Sequence, residues 1–118
     1  MGVITKEMVE EIYTEGLKFY NGEIGREEAI SRVMQSTNIA RASCNAYLCV
    51  LCGMLDGVEY RRTANAYATE YYLKRIESDF GIDRRKKAAN AVKAHAKYYA
   101  TLGRGNQRKI EELAMKYQ

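Results

Sequence analysis

Apolar side chains recur along this chain at helical spacing, in six stretches separated by breaks rich in glycine, asparagine or serine. The first stretch predicts a helix from Thr5 to about Tyr20. Val9, Ile12, Tyr13, Gly16, Leu17 and Tyr20 share one side of it, and Glu7, Glu10 and Glu11 lie near its positive N-terminal end. Asn21-Gly22 stops it. A second helix starts at or beside Gly25, with Glu27 and Glu28 in its first turn and Ala29, Ile30, Val33 and Met34 on its apolar side. Ser36-Thr37-Asn38 then breaks the pattern, and Ile39 is placed to plug the turn. From Ala40 to Leu55 a third helix carries Tyr47, Leu48, Leu51, Met54 and Leu55 in one stripe, while Arg41, Ala42, Asn45, Ala46 and Cys49 point the other way.

Asp56-Gly57 is a turn signal, and Val58 to Arg62 links into a fourth helix from about Thr63 to Asp79. Its core stripe is Thr69, Tyr72, Leu73, Ile76 and Phe80, with Tyr67, Tyr71, Lys74 and Ser78 opposite. Tyr67 and Tyr71 therefore either pack beneath a neighbouring helix or form an exposed aromatic surface for a partner. Gly81 ends this helix, and Asp83 is the expected cap of a fifth that runs to about Leu102 along the apolar edge Ala88, Val92, His95, Tyr99 and Leu102. After Gly103-Arg104-Gly105-Asn106 a last helix spans Gln107 to Lys116, with Ile110, Leu113, Ala114 and Tyr117 apolar. The expected fold is all-α: one domain over residues 1–118, a bundle of five to six helices containing a helix-turn-helix-like unit.

Composition agrees with that reading. The chain has no proline and no tryptophan, and its 118 residues suffice to bury a core without disulfides or metals. The longest apolar stretch, Ala46 to Leu55, falls well short of the ~20 residues that span a bilayer. MGVITKEMVEE is acidic and amphipathic rather than basic and then apolar, so no signal peptide and a cytoplasmic setting are expected. Cys44, Cys49 and Cys52 match part of an iron–sulfur spacing. However, a fourth ligand is missing, and a helix turns Cys44 and Cys49 about 140° apart. They read as reduced small hydrophobes.

Charge changes the picture more. The net charge of +4 conceals a division: residues 1–80 carry nine basic and twelve acidic side chains, net −3, whereas residues 81–118 carry ten basic and three acidic, net +7. Arg84, Arg85, Lys86 and Lys87 occupy the first turn of helix five, where the helix dipole is already positive. Helix stability alone would favour acids there, so the cluster points to an anionic partner such as a nucleic-acid phosphate. Lys86, Asn90, Lys93 and Lys97 continue it as a stripe on the side opposite His95 and Tyr99. A solvated lysine face is the plain alternative.

Candidate chemistry is otherwise sparse. His95 is the single histidine and lies on an apolar edge, which suits a core residue better than a base or zinc ligand. No nucleophile has an evident base beside it, and Gly103-x-Gly follows a helix rather than the strand a dinucleotide loop requires. Neither a cofactor nor a metal is expected.

Residues 26–51 have the outline of a helix-turn-helix, although two helices joined by a short turn are also ordinary core architecture. Under the first reading Arg41 and Asn45 are the strong base readers of helix three. Tyr60-Arg-Arg-Thr-Ala-Asn-Ala-Tyr-Ala-Thr-Glu-Tyr-Tyr-Leu-Lys-Arg-Ile with Asp79-Phe80-Gly81 resembles a small helical domain found N-terminal to the nuclease in some HNH-type restriction endonucleases. Gly22-Glu-Ile-Gly-Arg-Glu-Glu-Ala-Ile and His95-Ala-Lys-Tyr-Tyr are similar to the same domain, so the likeness covers about residues 5–100. The resemblance implies a module that engages DNA for a nuclease. It does not imply the nuclease itself, because an HNH site needs several histidines around a metal.

The leading expectation is therefore a non-enzymatic DNA-binding module, associated with restriction or phage defence. Arg41 and Asn45 face a groove, and Arg61, Arg62, Arg84, Arg85, Lys86, Lys87, Lys93 and Lys97 hold phosphates. Its partner is DNA, alone or with a nuclease domain. The rival expectation is a protein-interaction module or small inhibitor, a homodimer packed on the small residues Ala42, Ala46, Cys49 and Gly53 with Tyr67 and Tyr71 as anchors.

Overall fold

A computed structural model of the chain describes residues 3–103 and 107–118 and contains, among them, six helices and no strand. The helices are α1 (Lys6–Tyr20), α2 (Arg26–Ser36), α3 (Arg41–Asp56), α4 (Ala66–Phe80), α5 (Ile82–Thr101) and α6 (Arg108–Tyr117). Thr5 starts α1 by accepting the Met8 N–H at 3.2 Å. The start of α4 lies later than the spacing predicts, because Asn65 makes the better cap: its Oδ1 accepts the Ala68 N–H at 2.8 Å. Residues 58–65 thereby become an extended strap between α3 and α4.

The expected cap at Asp83 is a correction. Gly81, at φ 99°, serves at once as the end of α4 and the start of α5, its carbonyl accepting the Arg85 N–H at 3.1 Å. Only a residue without Cβ takes that conformation readily, so the chain pivots in one residue and Asp83 falls inside the first turn. The predicted break before α6 lies largely outside the described residues, which omit 104–106.

The molecule measures 34 × 34 × 20 Å, and its short dimension equals about two helix diameters, so the helices lie two deep. Centrally placed are α3, against α1, α2 and α5, and α5, against α3, α4 and α6. The stripe of α3 is buried as its spacing predicts, with Leu51, Met54 and Leu55 fully enclosed, and Ile39 does plug the turn before it. Three predicted core positions are corrected: Met34, Phe80 and Leu102 are exposed. Each lies within two residues of a helix end. On α5 the buried side is instead extended by Ala89, Ala91 and Ala96, whose small side chains let three helices approach.

Candidate nucleic-acid interface

Part of the outward side of α3 is occupied by the protein itself. Arg26, the first residue of α2, reaches across to α3. There its Nε and Nη2 donate to Asn45 Oδ1 at 3.1 and 2.6 Å, and Nη2 also approaches Cys49 Sγ at 3.1 Å. Asn45 thus spends its acceptor inside the fold. Arg41 pairs with Glu27 of α2. The two predicted base readers are brought to one edge, but each is engaged by α2. Arg26 escaped the sequence reading; the one available signal was the polar slot that Asn45 and Cys49 make at i and i+4.

The small-residue stripe on α3 is likewise filled from within at Cys49 and Gly53, whereas Ala42 is exposed. A Cβ on Gly53 would lie 2.9 Å from Tyr60 Cβ, so the strap after α3 uses that gap. Cys49 lies under Arg26. Among the three free thiols, burial pushes Cys52 up to about 11 and also raises Cys44, which keeps both protonated at neutral pH.

The cationic first turn of α5 divides in two. Arg84 folds back: its Nε donates to the Leu55 carbonyl at 2.8 Å, its Nη2 donates to Tyr20 Oη at 2.8 Å, and its guanidinium lies 5.1 Å from the Phe80 ring centre. Leu55 is in the last turn of α3, so Arg84 meets the negative end of that helix dipole. Tyr20 passes the contact on by donating to Asp56 Oδ1 at 2.7 Å, and the Asp56 carboxylate is the main reason its hydroxyl is held above its ordinary range. Arg85 is largely covered and pairs with Glu77 of α4 at 3.1 Å. Arg84 and Arg85, nominated as phosphate ligands, thus act as inter-helix clamps in this fold. Their presence against the α5 dipole is explained by what they hold on α3 and α4.

Lys86, Lys87, Lys93 and Lys97 differ. All four are exposed, and none forms an ion pair among the described residues. Lys86, Lys93 and Lys97 lie within about 40° of one another around α5 and span about 16 Å along it. Asn90 on the same stripe accepts from the Gln118 side chain at 3.1 Å. Lys87 leans away, its aliphatic stem crossing Gly57.

The strap carries two further arginines. The Arg61 guanidinium lies 4.4 Å from the Tyr98 ring centre, on the flank of α5, and its Nε is 3.4 Å from Glu59. Arg62 is exposed and without an ion pair among the described residues. Tyr60 holds the strap down. Its ring stacks on His95 at 4.5 Å, and its carbonyl is 2.7 Å from His95 Nδ1, which must donate because a carbonyl only accepts. His95 is 1% exposed, as a core histidine should be.

No protein-family model, no curated protein and no solved structure matches this chain. Among the described residues no group of three or more His, Cys, Asp or Glu side chains could hold a metal ion, and no helix is long and apolar enough to cross a membrane.

Tyr67 and Tyr71 part company. Tyr71 accepts from Arg75 at 2.7 Å and packs edge-on to Tyr13 of α1, within a cluster where Tyr13 donates to Asp79 at 2.7 Å. Tyr67 stays 40% exposed, with Lys6 above its ring, and walls a groove of about 390 Å³ between α4 and α6 lined by Ala66, Glu70, Lys109, Glu112, Leu113 and Lys116. That groove carries both signs of charge around a small apolar floor.

Proposed function

We propose that this chain is a non-enzymatic nucleic-acid-binding module that grips the phosphate backbone with the outer face of α5 and the adjoining strap. The observation that carries the reading is the distribution of free charge. Of the ten side chains that the sequence nominates for nucleic-acid contact, those left exposed and without an ion pair among the described residues are Arg62, Lys86, Lys87, Lys93 and Lys97. All of them lie on α5 or the strap beside it. Such contacts position a duplex without reading it, so binding is salt-dependent and tolerant of sequence.

The helix-turn-helix reading of α2 and α3 is narrower in this proposal. Base contacts by Arg41 or Asn45 require breaking the pairs with Glu27 and Arg26, so α2 and α3 act chiefly as scaffold. The likeness to a helical domain of HNH-type restriction endonucleases fits a module that tethers a catalytic part to DNA, and a role in restriction or phage defence rests on that likeness. A homodimer built on the small side of α3 would have to displace Tyr60 and Arg26.

The test is titration of labelled duplex and single-stranded DNA at several salt concentrations. Duplex binding is expected to weaken linearly in log–log form as salt rises, and Lys93→Ala to reduce the slope by about one. Absence of salt-dependent binding to either form would overturn the proposal.

A further inference from the structure

We infer that His95 is the positioning residue of the interface: through its Nδ1–H bond to the Tyr60 carbonyl it fixes the strap that carries Arg61 and Arg62. The inference rests on the function proposed above for its consequence in binding, but the latch itself is a property of the fold.

Residues 59–64 are otherwise poorly anchored through polar contacts. At one end the Val58 N–H donates to the Gly53 carbonyl at 3.0 Å, and at the other the Asn65 N–H donates to Tyr47 Oη at 3.0 Å. Between these ends the Tyr60 carbonyl makes the one hydrogen bond recorded among the described residues, and its partner is His95. The arginines follow that carbonyl immediately in sequence. A peptide plane fixed at Tyr60 fixes where the next two side chains leave the backbone. Arg61 then lands on Tyr98, three residues beyond His95 and one helical turn along the same helix.

The imidazole is suited to one orientation. The ring is trapped between Tyr60, stacked at 15° to it, and Tyr99, 6.2 Å away, and Gly53 makes room for Tyr60 from below. Its Nε2 is buried and has no hydrogen-bond partner among the described residues. A side chain kept merely to satisfy its own polarity would not leave one ring nitrogen unused. What is satisfied is the strap carbonyl, which would otherwise be buried without a donor. Aliphatic or aromatic side chains of similar volume fill the site but cannot make that bond.

The experiment has one arm without DNA and one with it, on the full chain. Nitrogen-15 NMR of the wild type is expected to show the Nδ1-protonated tautomer with a slowly exchanging ring proton; an Nε2-protonated tautomer would overturn the latch whatever the variants do. Trypsin under native conditions then reads the strap, since Arg61 and Arg62 are cleavage sites. His95→Phe is expected to speed cleavage there at least tenfold relative to cleavage at Lys74 and Arg75 in α4, and His95→Asn, which keeps a donor near the Nδ1 position, to restore most of the protection. Global destabilisation would raise all sites together, and that result, or unchanged strap cleavage in folded His95→Phe, overturns the inference. In the DNA arm His95→Phe should lower the salt slope by about two, as should Arg61→Ala with Arg62→Ala, and His95→Asn should recover it. If the wild type binds no DNA, the proposed function fails while the tautomer and the cleavage pattern still decide the latch.

Discussion

The outer side of the α2–α3 pair and the outer side of α5 both carry candidate contact residues at helical spacing, but what stands opposite them differs. Beside α3 stands α2, whose first turn supplies Glu27 to Arg41 and whose Arg26 takes Asn45. Along α5 the outer stripe of Lys86, Lys93 and Lys97 meets no carboxylate within ion-pair distance among the described residues. An exposed ion pair is worth only ~0–1 kcal/mol, so pairing contributes little to the stability of α3. It does mean that a ligand must compete for Arg41, whereas the α5 lysines have no ion-pair partner to displace among the described residues. Candidate interfaces are thus better ranked by unspent charge than by total charge.

The strongest way to break this comparison is to remove the stripe. Replacing Lys86, Lys93 and Lys97 together by alanine should lower the salt slope of duplex binding by about three and weaken binding on the order of 10²–10³-fold at ~0.1 M salt. Chemical denaturation should meanwhile show stability within about 0.5 kcal/mol of wild type. Wild-type affinity in the triple variant would move the interface elsewhere.

Arg84→Met should do the reverse. It removes two hydrogen bonds from a charged donor and leaves the Leu55 carbonyl without this partner, a loss of about 2–3 kcal/mol in urea unfolding, with the salt slope kept. A smaller effect is expected at α3. Asn45→Ala should cost about 1 kcal/mol and Arg41→Ala less than about 0.5 kcal/mol, both leaving the ranking of DNA sequences unchanged in competition binding. A change in that ranking would restore α3 as a reader.

The gentlest probe concerns α6, which flanks α5. The Tyr117 hydroxyl, donating at 2.6 Å, and the Lys116 ammonium hold the Glu70 carboxyl below its ordinary range, and burial together with that carboxylate pushes Tyr117 up to about 12. A depressed carboxyl contributes stability that is present above its unfolded value and lost as pH falls through the folded one. Acidification below about pH 4 should therefore loosen α6 from α4, visible as increased amide exchange over residues 108–117. In Glu70→Gln this acid-dependent step should largely disappear.

Much of the fold was legible because helix formation is local. The spacing of Tyr47, Leu48, Leu51, Met54 and Leu55 places α3 in the core whatever surrounds it, and Thr5 marks the start of α1 by its own hydroxyl. Legibility fails at helix ends. Whether Phe80 or Leu102 is covered depends on how far a neighbouring helix extends, and that information is not carried by the residues nearby. The site was half legible. Lysines at 86, 93 and 97 share a face by periodicity alone, but nothing local distinguishes Arg84 and Arg85, clamps on α3 and α4, from Lys86 and Lys87 beside them.

By itself the sequence determined an all-helical bundle, most of its buried stripes and the concentration of positive charge beyond Gly81, because each follows from residues a turn or so apart or from simple counting. The tertiary structure decided which charges remain available. Arg26 meets Asn45 across nineteen residues and Arg84 meets Leu55 across twenty-nine. Contacts of that range are set by how helices pack against one another, and packing is a property of the assembled core rather than of any one segment.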